Sequence, residues 1–296
     1  MKSVCVRMSV IAGCFVMIWI LACNRQHPIT SQEIEESQTI AIGNIQLVAI
    51  VKDVLEITQR GLLTEGLLKS NNSTKEYTTY PTECKPVITS NYTNITHNGD
   101  TLTYSGTITI DYGDGSACTD SLKTPTGKLI DTFFVTIIDS DINKRSPSVS
   151  YLATISFENF QKDNIILSGT ITSQSVDQIT TVTSEDARLT YTDGSSTFWN
   201  GALTYVYHPS EYKEDDCWII SGSLTGISRI GTAFMTSISK DIIYTGRCQN
   251  SGRPVSVNIE IISNGVTSVT DYGNGICDTL YTVTVREAAK KYKSDI

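Results

Sequence analysis

The stretch TLTYSGTITIDY, Thr101 to Tyr112, decides the fold. Leu102, Tyr104, Ile108, Ile110 and Tyr112 fall on one side of a period-two chain, and Thr101, Thr103, Thr107 and Thr109 on the other. Strict alternation of this kind marks a half-buried antiparallel strand, with one face apolar and one face wet. The strand runs straight into DYGDGSACTD, Asp111 to Asp120, and nearly the same letters return as DYGNGICDTL, Asp271 to Leu280. Each copy has a cysteine on both sides. Cys84 is separated from the first DYG by 26 intervening residues and Cys118 closes it; Cys248 is separated from the second by 22 and Cys277 closes it.

Spacings this similar describe one supersecondary unit written twice. They pair Cys84 with Cys118 and Cys248 with Cys277. Two physical readings compete for the loops themselves. An acidic, Gly-rich loop can supply oxygen ligands to calcium, which makes Asp111, Asp114 and Asp271 the metal candidates, with Asp120 beside them. A turn needs only Asp-Gly or Asn-Gly. Both copies keep that dipeptide, whereas Asp114 of the first becomes Asn274 in the second. The turn is therefore the expectation, with no metal and no cofactor.

Alternation extends along most of the chain. Val149, Tyr151, Ala153, Ile155 and Phe157 share one face; so do Val255, Val257, Ile259 and Ile261, and then Tyr281, Val283 and Val285. Asn98-Gly99, Asp114-Gly115, Asp193-Gly194, Asn264-Gly265 and Asn274-Gly275 mark hairpins. Seven prolines in 296 residues leave room for long strands. The sequons at Asn91 and Asn94 read as bare loop asparagines.

One segment breaks the pattern. In NIQLVAIVKDVLEITQRGLLTEGLLK, Ile50, Val54 and Ile57 lie on one helical face with Val51 and Leu55 beside them. Asn44 is placed to cap the start, and Gly61 and Gly66 to end or break the helix. An apolar stripe of this kind belongs to a core. The residues before it, 23–43, are polar and include Glu33, Glu35 and Glu36, and they read as a tether.

The first residues set the compartment. Lys2 and Arg7 precede an uncharged apolar run from Met8 to Ala22, shorter than the ~20 residues of a spanning helix. Residues 1–22 read as a secretory signal. The run ends Ile20-Leu21-Ala22-Cys23, which is similar to a bacterial lipobox. That resemblance makes Cys23 the acylated mature N-terminus, palmitate among its chains, and gives the protein a lipid anchor in a bacterial cell envelope. Asn24 in place of an aspartate points to the outer membrane. An exported chain is also free to form disulfides.

With the twin motif quoted, the chain resembles a group of uncharacterised lipoproteins from Bacteroidetes-type bacteria, in which a DYG or DFG followed by cysteine recurs near both ends of a β-rich region. The likeness spans Cys84 to Arg286, though SLKTPTGKL after Cys118 carries fewer basic side chains than the group does. It implies a repeated β architecture and brings no activity with it.

Several function classes drop out. Net charge is −8 without a basic cluster, so nucleic acid is not an expected partner. There is no HExxH, GxSxG, CxxC or phosphate loop. His27, His97 and His208 are scattered, Glu214, Asp215 and Asp216 read as a solvated loop, and Cys217 beside Trp218 reads as a buried free thiol. Phe198 and Trp199 are the candidates for a ligand surface taking a glycan or an apolar molecule.

The expected fold is mainly β. One antiparallel curved sheet or half-open barrel occupies residues 76–296, with the helix of residues 44–69 on its concave apolar side. Two β-sandwich modules are the alternative. The expected function is that of a non-enzymatic envelope lipoprotein binding a lipid, glycan or protein ligand. The alternatives are a glycan-acting hydrolase and a purely structural envelope protein.

Overall fold

The computed structural model describes residues 30–70, 86–114, 125–138, 148–210, 216–245, 254–274, 280–285 and 288–293. Among these described residues one helix, α1 (Ser31–Ser70), precedes thirteen strands. These are β1 (Val87–Asn98), β2 (Thr101–Asp111), β3 (Thr126–Ile138), β4 (Ser148–Lys162), β5 (Ile165–Val176), β6 (Ile179–Thr190), β7 (Ser196–His208), β8 (Cys217–Ile227), β9 (Ala233–Thr245), β10 (Ser256–Ser263), β11 (Val266–Asn274), β12 (Leu280–Val285) and β13 (Ala288–Lys293). Each strand pairs with the next in sequence, so the sheet is a single up-and-down antiparallel ladder with β1 and β13 at its edges. The two-sandwich alternative is therefore replaced by one continuous sheet.

Alternation does what the sequence implies. Leu102, Tyr104, Ile108 and Ile110 of β2 are buried, and the threonines between them are half-buried. Turn chemistry then joins the strands. Asn264 and Gly265 both take positive φ, 49° and 75°, between the paired ends Ser263 and Val266. Asp163 and Asn164 do the same, at 50° and 62°, between Lys162 and Ile165. Both pairs supply the left-handed backbone that a two-residue hairpin requires. Asn91 and Asn94 lie in β1, not in a loop.

Bulges bend the ladder. Register slips in the middle of β5, β6 and β8, between Ser168 and Ile171, Ser184 and Ala187, and Ile220 and Ser223. Extra residues of this kind raise local twist and let a sheet coil. At Gly222 the backbone sits at φ 131°, and an added Cβ would come within 2.3 Å of the Ala202 carbonyl oxygen.

The coiled sheet wraps α1. Hydrogen bonds reach the helix from far-apart strands. Gln38 Nε2 donates to Tyr281 Oη on β12 at 2.9 Å, Asn44 Nδ2 to Thr236 Oγ1 on β9 at 2.7 Å, and Tyr205 Oη on β7 donates to the Val48 carbonyl at 3.4 Å. Ala41, Ile45, Val51, Val54 and Leu55 are fully buried. A helix apolar almost all round is one enclosed on every side.

Three sequence expectations about this helix need correction. It starts at Ser31, so residues 31–43 are not tether. Thr30 and Glu33 form a capping box: the Thr30 amide donates to Glu33 Oε2 at 2.8 Å, and the Glu33 amide to Thr30 Oγ1 at 3.2 Å. Asn44 is buried inside the helix and caps nothing, because Thr236 takes its side chain. The helix also continues through Gly61 and Gly66 to Ser70. Among the described residues no helix is long and apolar enough to cross a membrane.

Candidate functional site

The twin motif resolves into one microstructure built twice. Asp111 Oδ1 accepts the Gly113 amide at 2.8 Å, and Asp271 Oδ1 accepts the Gly273 amide at 2.7 Å. Both glycines take positive φ, 67° and 92°. An aspartate capping the amide two residues on is an Asx turn, which tolerates a tight reversal at a strand end. Tyr112 and Tyr272 both point into the core. Because β2 and β11 run in opposite directions along the ladder, the two turns occupy opposite margins of the sheet.

The first carboxylate is further engaged by Lys128 Nζ at 3.0 Å. The Gly113 amide, then Lys128, hold the Asp111 carboxyl below its ordinary value. Its oxygens therefore serve a turn and an ion pair. Among the described residues no group of three or more His, Cys, Asp or Glu is placed to hold a metal ion. Cys84, Cys118, Cys248 and Cys277 lie outside the described residues, as do Cys23, His27, Glu214 and Asp215.

The ligand-surface pair divides. Trp199 is 1% exposed and belongs to the core, so it drops out as part of an outward face. Phe198 is 42% exposed on the outside, with the Arg188 guanidinium 4.9 Å from its ring centroid. Neighbouring strand residues point to opposite faces, so the two rings have no way to form one surface. Asp216 is structural: it accepts Tyr207 Oη at 2.6 Å and the Ser210 amide at 2.8 Å. Cys217 is free and half-buried at the start of β8, and burial pushes its thiol up. A thiol held protonated is a poor nucleophile.

The structure brings together a cluster that motif reading missed. Asp131 lies on β3 between Leu129 and Phe133, on the inward face, and is 1% exposed. Tyr151 Oη on β4 donates to its Oδ2 at 2.9 Å. Thr58 of α1 stands within hydrogen-bonding reach of that same phenol. Asp131 Oδ1 has no hydrogen-bond partner among the described residues.

Burial raises the Asp131 carboxyl to about 7, against the Tyr151 hydrogen bond, which lowers it. Burial and the adjacent Asp131 push the Tyr151 phenol well up. The signal in the sequence was a phase violation: in LIDTFFVTII an aspartate occupies the position that alternation reserves for an apolar side chain.

A second polar cluster lies on the same helix. Lys52 Nζ is 2.9 Å from both Asp53 Oδ1 and Glu56 Oε1, and 5.9 Å from the centre of the Tyr244 ring. Lys162 of β4 also pairs with Asp53. Each charge is matched by an opposite one, the condition under which ions are tolerated near a core. Chemically this is a clamp between α1 and the sheet.

No protein-family model matches the chain, and neither a curated protein nor a solved structure does.

Proposed function

We propose that the chain is a non-enzymatic cell-envelope lipoprotein, anchored through Cys23, that acts by binding a partner on its outer surface. The observation that carries this reading is the position of α1. A carrier of the half-open-barrel kind needs its concave side free for cargo. Here that side is filled by Ile45, Leu47, Val51 and Leu55 of the helix, packed into the same core as β2 to β12.

The hydrolase alternative asks for a pair of carboxylates flanking a bond. Asp131 has the raised pKa of a general acid, but burial alone lifts it, against the Tyr151 hydrogen bond, and no second carboxylate contributes to the rise. The group is enclosed under α1, so it reads as a buried structural acid. The purely structural alternative shares the fold but predicts no specific partner.

The test uses the mature anchored protein. Incubation with bacterial glycans is expected to release no reducing sugar, and short-chain lipid monomers to leave the melting temperature unchanged. A photo-reactive residue on the outer face of the sheet is expected to yield one discrete adduct in the envelope. Sugar release would establish the hydrolase. A lipid-dependent rise in melting temperature would establish a carrier whose helix moves. The absence of any adduct would leave a structural role.

A further inference from the structure

The start of α1 fixes how the fold sits relative to its anchor. Six residues lie between Cys23 and Thr30, and the seven steps from one to the other reach about 25 Å at full extension. Glu36 Oε1 in the opening turns of α1 accepts Ser263 Oγ at 2.6 Å and Asn264 Nδ2 at 3.2 Å. The helix therefore begins beside the β10–β11 turn. Ser263 pairs with Phe234 at the start of β9, and its hydroxyl also reaches the Ala233 carbonyl at 3.2 Å. Whatever covers this margin lies within a short tether of the acylated cysteine.

The outer face at this margin carries a contiguous apolar patch. Met235 stands directly opposite Ile262, and Phe198 directly opposite Ile227. Ile227 pairs with Ala233, which sets it diagonal to Met235, within contact range on one face. Ile230 projects from the turn joining β8 to β9. Exposures are 42% for Phe198, 49% for Ile227, 54% for Ile230, 50% for Met235 and 38% for Ile262. Single exposed apolar side chains are ordinary, but four in neighbouring register across four strands, with Ile230 at the turn beside them, form a surface that asks for a partner.

We infer that this patch is a second, non-covalent membrane contact: Phe198, Ile227, Ile230, Met235 and Ile262 rest in the interface of the bilayer that holds the Cys23 acyl chains. The inference rests on the anchoring proposed above. Tether length and the place where the described chain begins select lipid over a distant protein. Charge does not drive the contact. Arg188 and Arg229 lie along this margin, but so do Glu33, Glu35 and Asp193, and the chain is acidic throughout. Docking is thus apolar and does not require anionic lipid.

The test is depth-dependent fluorescence. Acylation of Cys23 is first checked by mass spectrometry on protein extracted from cell membranes. The acylated protein, in a Cys217→Ser background, then carries an environment-sensitive NBD label at Met235→Cys, or separately at Ile227→Cys, in neutral phosphatidylcholine vesicles. The control is Ile179→Cys, 52% exposed at the opposite end of β6. Brominated acyl chains are expected to remove about half or more of the emission at both patch positions, since interfacial groups settle at the headgroup–acyl boundary. The control is expected to keep its emission.

Equal quenching at patch and control positions, or none at the patch, in acylated protein would overturn the docking while leaving the anchor intact. A Cys23 without acyl chains would overturn both. A patch shielded from water yet unquenched by brominated lipid would assign it to a protein partner instead.

Discussion

The Tyr151 hydroxyl donates to Asp131 Oδ2 at 2.9 Å across neighbouring strands, and the carboxyl it serves is enclosed between the sheet and α1. That pair makes stability depend on pH in a direction opposite to most surface carboxylates. An unfolded aspartate titrates near 3.9, while burial puts Asp131 at about 7. The folded state therefore holds a proton that the unfolded state has lost. The contribution is fully present below about pH 4 and is lost as pH rises to about 7. Urea unfolding at pH 5 and pH 8 is expected to show Asp131→Asn gaining on the wild type by about 2–4 kcal/mol at the higher pH. Parallel pH dependence in the two proteins would show that the carboxyl is not held protonated.

Removing the partner acts on the same equilibrium. In Tyr151→Phe the Asp131 carboxyl keeps its burial but loses the hydrogen bond that lowers its pKa. The midpoint of the pH-dependent loss is expected to move above about 7, with a cost of about 1–3 kcal/mol for the unsatisfied polar group. Both readings come from one set of urea curves across pH. A midpoint that stays in place would mean that another group serves the carboxyl.

Much of this fold was legible in residues, and the exceptions have physical reasons. Leu102, Tyr104 and Ile108 gave the sheet because a period of two has no other packing solution. Asp163-Asn164 escaped notice as a hairpin because it lacks the glycine that makes Asn-Gly conspicuous, although asparagine and aspartate tolerate the same left-handed backbone. Ser31 to Gly43 looked like tether because its glutamates suit solvent. Tertiary contacts of Glu36 with Ser263 and of Gln38 with Tyr281 decided otherwise. Asp131 was visible only as a charge in the wrong phase, and nothing local revealed that Tyr151 would meet it.

The twin hairpins carry a covalent expectation. Val87 pairs with Asp111 at the open end of the β1–β2 hairpin, and Ser256 with Asn274 at that of β10–β11. In sequence, Cys84 precedes Val87 and Cys118 follows Asp111, while Cys248 precedes Ser256 and Cys277 follows Asn274. Each pair of cysteines thus brackets one hairpin in sequence. Peptide mapping of unreduced protein is expected to link Cys84 to Cys118 and Cys248 to Cys277. Serine substitution of either pair is expected to lower stability by about 2–4 kcal/mol, within the chain-entropy model for loops of this length. A cross-link between the two units would break the repeat reading.

The helix tests whether the sheet stands without it. Leu55 is fully buried in α1, within the same cluster as residues from β2 to β12. Truncation in Leu55→Ala removes buried methyl groups and leaves a space that the wrapped sheet has little freedom to close. The expected cost is about 2–5 kcal/mol. The more telling outcome is cooperativity. Trp199 and Trp218 report the sheet interior through fluorescence, and far-ultraviolet circular dichroism reports α1. Because core residues of both are continuous, the two signals are expected to melt together in wild type and variant, as a two-state unit does. A helix signal lost ahead of the tryptophan signal would show α1 to be a detachable plug. The concave face would then be open to cargo, and partner binding on the outer surface would lose its main support.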